Sequence, residues 1–124
     1  MQFFTNYGKQ TMNKLFIDDI REPVDNTFDI VRSYDDAIAY MQSFGCPREI
    51  SFDHDLGEAI AKTGFDVAKW MVDRDLDTNG KFIPAGFEYY VHSANPVGAA
   101  NIKGLLDNYL AVRDVYDETT NSSN

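Results

Sequence analysis

Carboxylates, imidazoles and hydroxyls gather at three points where a short apolar run stops. Lys14-Leu15-Phe16-Ile17 stops at Asp18-Asp19, Glu49-Ile50-Ser51-Phe52 at Asp53-His54-Asp55-Leu56-Gly57, and Phe87-Glu88-Tyr89-Tyr90-Val91 at His92-Ser93-Ala94-Asn95. A buried strand reads this way when it ends at a polar edge, although Glu88 interrupts the third run. Delivered to one rim of a sheet, these ends bring together Asp18, Asp19 and either Asp53 or Asp55. Like charges that close must protonate or bind a cation. Oxygen ligands favour magnesium, manganese or calcium, and magnesium is the simplest choice because it bridges to phosphate. Manganese and zinc are the alternatives, and zinc becomes the better choice if His54 and His92 converge with a carboxylate.

The chain has two histidines, and both lie directly past a strand. At least one is expected in general acid or base work. The plainer alternatives are a hydrogen bond from His54 to a neighbouring aspartate and a satisfied His92 at the edge of the core. Ser93 either donates to a phosphoryl oxygen or caps a turn. Arg21 either holds a phosphate in bidentate fashion or neutralises the acidic cluster. Thr63 suits a helix N-cap, and the amides after it suit an anion. Gly57 and Gly64 are expected to serve backbone geometry.

Around these points the elements alternate. A first strand spans about residues 14 to 18, and Pro23 keeps helix away from the loop that follows. Phe28-Asp29-Ile30-Val31 reads as a second strand. Ser33 then caps a helix bearing Tyr34, Ala37, Ile38, Met41 and Phe44, which Gly45 ends. A loop from Gly57 to Lys62 precedes the helix capped by Thr63, with Val67, Ala68, Met71 and Val72 on its apolar face. The connection from Asp73 to Pro84 carries turn signals, chiefly Asn79-Gly80. Asn95 and Pro96 open a last helix with Ile102, Leu105, Leu106 and Tyr109 inward. Strands alternating with helices predict an α/β fold with a parallel sheet covered on both faces. Ligands bind such sheets outside the carboxyl ends of the strands.

A length of 124 residues suits one domain that buries a core without staples. Residues 1–11 read as an extension or an added edge segment, 12–116 as the domain, and 117–124 as a disordered polar tail. The single cysteine, Cys46, excludes an intrachain disulfide and reads as an inert packing residue. No apolar run reaches a membrane span and the amino terminus lacks a signal-peptide layout, so the expected location is cytoplasmic. A formal charge of −9 makes long nucleic acid a poor partner, while a small anion held through a cation remains compatible with it.

Asp18-Asp19, Asp53 and Ser93-Ala94 resemble the acidic pair, phosphoacceptor aspartate and hydroxyl-alanine step of two-component receiver domains. The strings Asp-Asp-x-Arg-x-Pro, Ser-Phe-Asp-His-Asp-Leu-Gly, Thr-Gly and His-Ser-Ala-Asn-Pro-x-Gly are closer still to the cyclic-phosphate-processing receiver-like domain of bacteria and bacteriophages. The likeness covers roughly residues 14 to 110, and linked strings are more specific than any one short motif. It implies a flavodoxin-like, three-layer fold with about four core strands, and a role in processing cyclic phosphate ends in RNA repair or nucleotide metabolism. It also implies an acidic pocket of Asp18, Asp19 and Asp53, with Asp55, His54, His92, Ser93 and Asn95 as additions that distinguish the group. Ordinary receivers carry a lysine after a fifth strand. Here the tail follows the fourth strand and its helix, and neither Lys62 nor Lys103 is placed like that lysine.

The expectation is a metal-dependent phosphoesterase acting on a cyclic phosphate of a small nucleotide or RNA end. Asp18, Asp19, Asp53 and Asp55 would hold the cation, Asp53, His54, His92 and Ser93 would do chemistry, and Arg21, Thr63 and Asn95 would hold substrate. The rival is a non-catalytic receiver-like module binding a protein, such as a bacteriophage factor acting on a host partner. A phosphoacceptor receiver ranks last, because the reporting lysine is missing.

Overall fold

The computed structural model describes residues 13–57 and 61–122, with side chains through residue 115, so the anticipated extension at 1–11 lies outside the described residues. The elements are β1 (Lys14–Ile17), β2 (Asp29–Val31), α1 (Tyr34–Phe44), β3 (Glu49–Phe52), α2 (Gly64–Asp77), β4 (Glu88–Val91) and α3 (Pro96–Ser122). The sheet runs β2-β1-β3-β4 and every pair is parallel. This is the flavodoxin-like arrangement expected from the sequence. Its order reverses between β1 and β3, which is where ligands bind in such sheets.

Local signals set most boundaries. The Ser33 hydroxyl accepts from the Asp36 amide at the start of α1, and Gly45 closes that helix with φ 84°. Thr63 and Asp66 form a reciprocal capping box at the start of α2. Asn79 and Gly80 turn the chain with φ 59° and 79°. Two ends differ from expectation. Helix α2 continues to Asp77, four residues past the anticipated start of the connection at Asp73. The inward Asp75 is held by donors from outside the helix, and sequence periodicity does not register a carboxylate as core. Helix α3 runs through Ser122, past the boundary drawn at residue 116.

Leu15, Ile17, Val31, Ile50 and Phe52 form one core with Tyr40 and Met41 of α1, Val67 and Met71 of α2, and Ile102 and Leu106 of α3. These strand residues share one face of the sheet, since side chains alternate along a strand. Right-handed crossovers explain the placement. β2→β3 and β3→β4 cross the sheet in the same direction, so their helices fall on the same side. The opposite crossing, β1→β2, contains no helix. Among the described residues the second face is therefore met by loop side chains, as where Phe28 packs edge-on against Phe16.

Candidate functional site

Parallel register builds the rim. Ile17 pairs with Val31 and Phe52, and Phe52 pairs with Val91. The ladder then extends by one bond at each strand end. The amide of Asp18 donates to Val31 O at 3.2 Å, that of Asp53 to Ile17 O at 2.9 Å, and that of His92 to Phe52 O at 2.9 Å. Asp18, Asp53 and His92 are thus adjacent residues of three neighbouring strands.

Asp18 and Asp53 are both buried, with Asp19 less so, and one oxygen from each of the three lies within 4.8 Å of the others. Asp18 is well supplied with donors. Its Oδ1 accepts from the amides of Ile20 (2.9 Å) and Arg21 (2.8 Å), and Oδ2 faces His92 Nε2 at 2.9 Å. Burial raises the Asp18 carboxyl, but the Arg21 and Ile20 amides and then His92 outweigh it and hold it below the ordinary aspartate value. Asp53 moves the other way. Burial first, and then the charge of Asp18, push it above its ordinary value against hydrogen bonds from the Ser93 side chain and the His54 backbone. The rim therefore carries more negative charge than its own donors neutralise. An all-oxygen set with that surplus suits a hard divalent cation.

Asp55 stands apart from this cluster. Its Oδ1 lies 2.9 Å from His54 Nδ1 and 3.4 Å from Asn95 Nδ2. Of the two aspartates left open as the third carboxylate, Asp53 is the one beside Asp18 and Asp19. The hydrogen bond from His54 holds the Asp55 carboxyl below its ordinary value. His54 and His92 do not converge on one carboxylate, since His92 faces Asp18 and His54 faces Asp55.

The remaining expected residues are placed as follows. Arg21 donates from NH1 to His92 O at 2.9 Å and lies 3.8 Å from Asp18 Oδ2 through Nε, with its side chain half exposed. Ser93 Oγ accepts from the Asn95 amide at 3.0 Å, which caps the turn, while its side chain also hydrogen-bonds Asp53. Asn95 Oδ1 accepts from the Gly98 amide at 2.9 Å and so caps α3. The Thr63 hydroxyl is occupied by Asp66 in the capping box.

Several supporting residues were missed. Arg32 NH1 donates to Asp18 O at 3.1 Å and to Arg21 O at 2.6 Å, tying down the loop after β1. Ser51 Oγ is 2.8 Å from His92 Nδ1. The signal for Ser51 was a hydroxyl in an apolar strand, two residues before Asp53 and so on the same face. Gly64 and Gly98 confine the loop after β3. A Cβ on Gly64 would lie 2.0 Å from Asp53 O, and one on Gly98 would lie 2.3 Å from His54 Cγ. Both glycines sit in the strings quoted for the resemblance, but their reason is visible only in three dimensions.

Burial pushes the Cys46 thiol well above its usual range, and its sulfur sits 3.4 Å from Pro47 O. No helix among the described residues is long and apolar enough to cross a membrane.

No curated protein and no solved structure matches the chain. The family described as Cyclic-phosphate processing Receiver domain matches residues 13–108, from the residue before β1 into α3, and takes in every rim residue named above. With the parallel sheet, the acidic strand ends and that match over most of its length, the chain belongs to the cyclic-phosphate-processing receiver family.

Proposed function

We propose that the rim is the active site of a divalent-cation-dependent phosphoesterase that opens a cyclic phosphate on a nucleotide or RNA end. The observation that carries this reading is the surplus charge at Asp18, Asp19 and Asp53, expressed in the raised carboxyl of Asp53. Membership of a family named for cyclic phosphates supplies the substrate class.

Asp19 and Asp53 have the greatest unused acceptor capacity, and Asp18 offers what its amide and imidazole partners leave free. Magnesium fits this oxygen set best and manganese next, since neither histidine belongs to the cluster. A bound cation supplies a Lewis acid for the phosphoryl oxygen and a water of lowered pKa. The chain's own groups do the rest. Arg21 projects a half-exposed guanidinium beside Asp18, where it steadies the phosphate. The oxygen of water bonds to phosphorus, one ester P–O bond of the ring breaks, and the released oxygen takes a proton, giving a phosphomonoester. A histidine moves protons between these oxygens. The charge of −9 favours a small nucleotide or a terminal group over a long polyanion.

A second reading, a protein-binding module, is favoured by exposed apolar side chains close to site residues: Ile20, on the loop after β1, is 78 % exposed and Val97, in the first turn of α3, is 71 % exposed. Turnover separates the two. Nucleoside 2′,3′-cyclic phosphates and ADP-ribose cyclic phosphate are assayed with magnesium, manganese or chelator beside Asp53→Asn. Metal-dependent opening that Asp53→Asn abolishes is expected. A folded sample that opens no substrate with either metal would leave the binding module as the reading.

A further inference from the structure

Ser51 has no part in the chemistry above, yet it is buried at 8 % exposure with its hydroxyl against the site. It touches Nδ1 of His92 at 2.8 Å, while Nε2 of the same ring lies 2.9 Å from Asp18 Oδ2. Phe16 lies flat against the ring, with centroids 4.5 Å apart and planes 3° from parallel. An ionised carboxylate only accepts, so Nε2 must carry a hydrogen. In a neutral ring Nδ1 is then a lone pair, and the Ser51 hydroxyl is the donor that fills it.

His54 is arranged in reverse. Its Nδ1 lies 2.9 Å from Asp55 Oδ1 and 3.5 Å from Asn95 Nδ2. The carboxylate contact is much the shorter, so Nδ1 carries the hydrogen and donates to Asp55. Nε2 is left with a lone pair and no hydrogen-bond partner among the described residues. A ring with one nitrogen oriented by a carboxylate and the other open can move a proton, whereas a ring held at both nitrogens must first break a bond.

We propose that Ser51 is a positioning residue that holds His92 as the Nε2–H tautomer on Asp18, so that His92 is a fixed donor and His54 is the imidazole that moves the proton. The catalytic part rests on the phosphoesterase reading, and the tautomers do not. Ring nitrogen–proton correlation spectra of the full 15N-labelled chain are recorded without metal at mildly alkaline pH, where an ordinary imidazole is neutral. The expected result is a proton on Nε2 of His92 and on Nδ1 of His54. Ser51→Ala turns His92 into a mixture of tautomers and leaves His54 unchanged, while Ser51→Thr keeps the hydroxyl and the native pattern.

A wild-type His92 protonated on Nδ1, or a folded Ser51→Ala with His92 unaltered, overturns the proposal. If Ser51→Ala does not fold, the wild type and Ser51→Thr decide by the same signature. In turnover, Ser51→Ala lowers kcat roughly 10- to 100-fold with KM nearly constant, and Ser51→Thr recovers most of it. A raised KM at unchanged kcat contradicts the positioning role. Absence of turnover in the wild type sinks the phosphoesterase reading alone, because the spectra still judge Ser51.

Discussion

Asp75 and Asp53 are both buried carboxylates, and their surroundings treat them in opposite ways. Asp75, near the far end of α2, accepts at Oδ1 from the amides of Phe82 and Ile83 at 2.9 and 2.8 Å. Its Oδ2 accepts from the Tyr109 hydroxyl at 2.6 Å and from Arg113 NH1 at 3.2 Å. Burial raises its carboxyl, but Tyr109, the two amides and Arg113 outweigh burial and leave it below the ordinary value. Asp53, at the rim, faces another carboxylate and keeps a raised value. Where every oxygen has donors, a buried charge fastens α2, the loop before β4 and α3 together. Where donors run short, as at Asp53, the carboxyl is left raised by burial and by the facing charge of Asp18.

The largest effect expected from this contrast is on stability. Asp75→Ala removes the shared buried acceptor of Arg113, Tyr109 and two amides, and about 3–5 kcal/mol should be lost in urea unfolding. Asp53→Asn should cost nothing or stabilise slightly, because it removes repulsion with Asp18. Equal losses at the two positions would erase the distinction. A cation should narrow the gap between the two. Magnesium at 100 times its dissociation constant adds about 2.7 kcal/mol to wild-type stability, and the increment should vanish in Asp53→Asn. Persistence of the increment there would place the ion elsewhere.

The two glycines sharpen the comparison within the rim itself. Gly64→Ala sets a methyl 2.0 Å from a backbone oxygen, so roughly 1–3 kcal/mol or more should be lost by thermal unfolding. Gly98→Ala instead meets the His54 ring, a side chain that can turn away. It should cost less stability than Gly64→Ala while lowering turnover. A Gly98→Ala protein with native turnover would remove His54 from the chemistry.

The smallest expected effect is on pH dependence, and its sign differs between the regions. A raised carboxyl favours the native state below the unfolded value of 3.8, and that contribution is lost as pH rises through the higher folded value of Asp53. The lowered carboxyl of Asp75 acts oppositely, with stability present above 3.8 and lost as pH falls below it. Unfolding followed from neutral pH downward should show a gain from Asp53 at pH above 3.8, absent in Asp53→Asn, and then a fall below 3.8 that Asp53→Asn retains.

Caps, turns and strand ends were legible in the residues because each depends on neighbours a few positions away. Ser33 accepts from Asp36, Thr63 pairs with Asp66, and Asn95 accepts from Gly98. Asp75 was illegible for the opposite reason. Its partners Tyr109 and Arg113 lie on another helix, and nothing near it in sequence marks it as buried.

The chain's own order of residues determined that three apolar runs end in acids, imidazoles and a hydroxyl, and that helices alternate with them. Alternation and capping are short-range physics, so those elements needed no fold to be read. Residue types and spacing left Asp53 and Asp55 both open, and only the resemblance pointed to Asp53; tertiary structure brings Asp53 beside Asp18 and Asp19 and decides which carboxylate each histidine faces. The Ser51–His92 contact spans 41 positions and the His92–Asp18 contact spans 74. Contacts that distant follow from the parallel register of β1, β3 and β4, and register belongs to the assembled sheet rather than to any one segment.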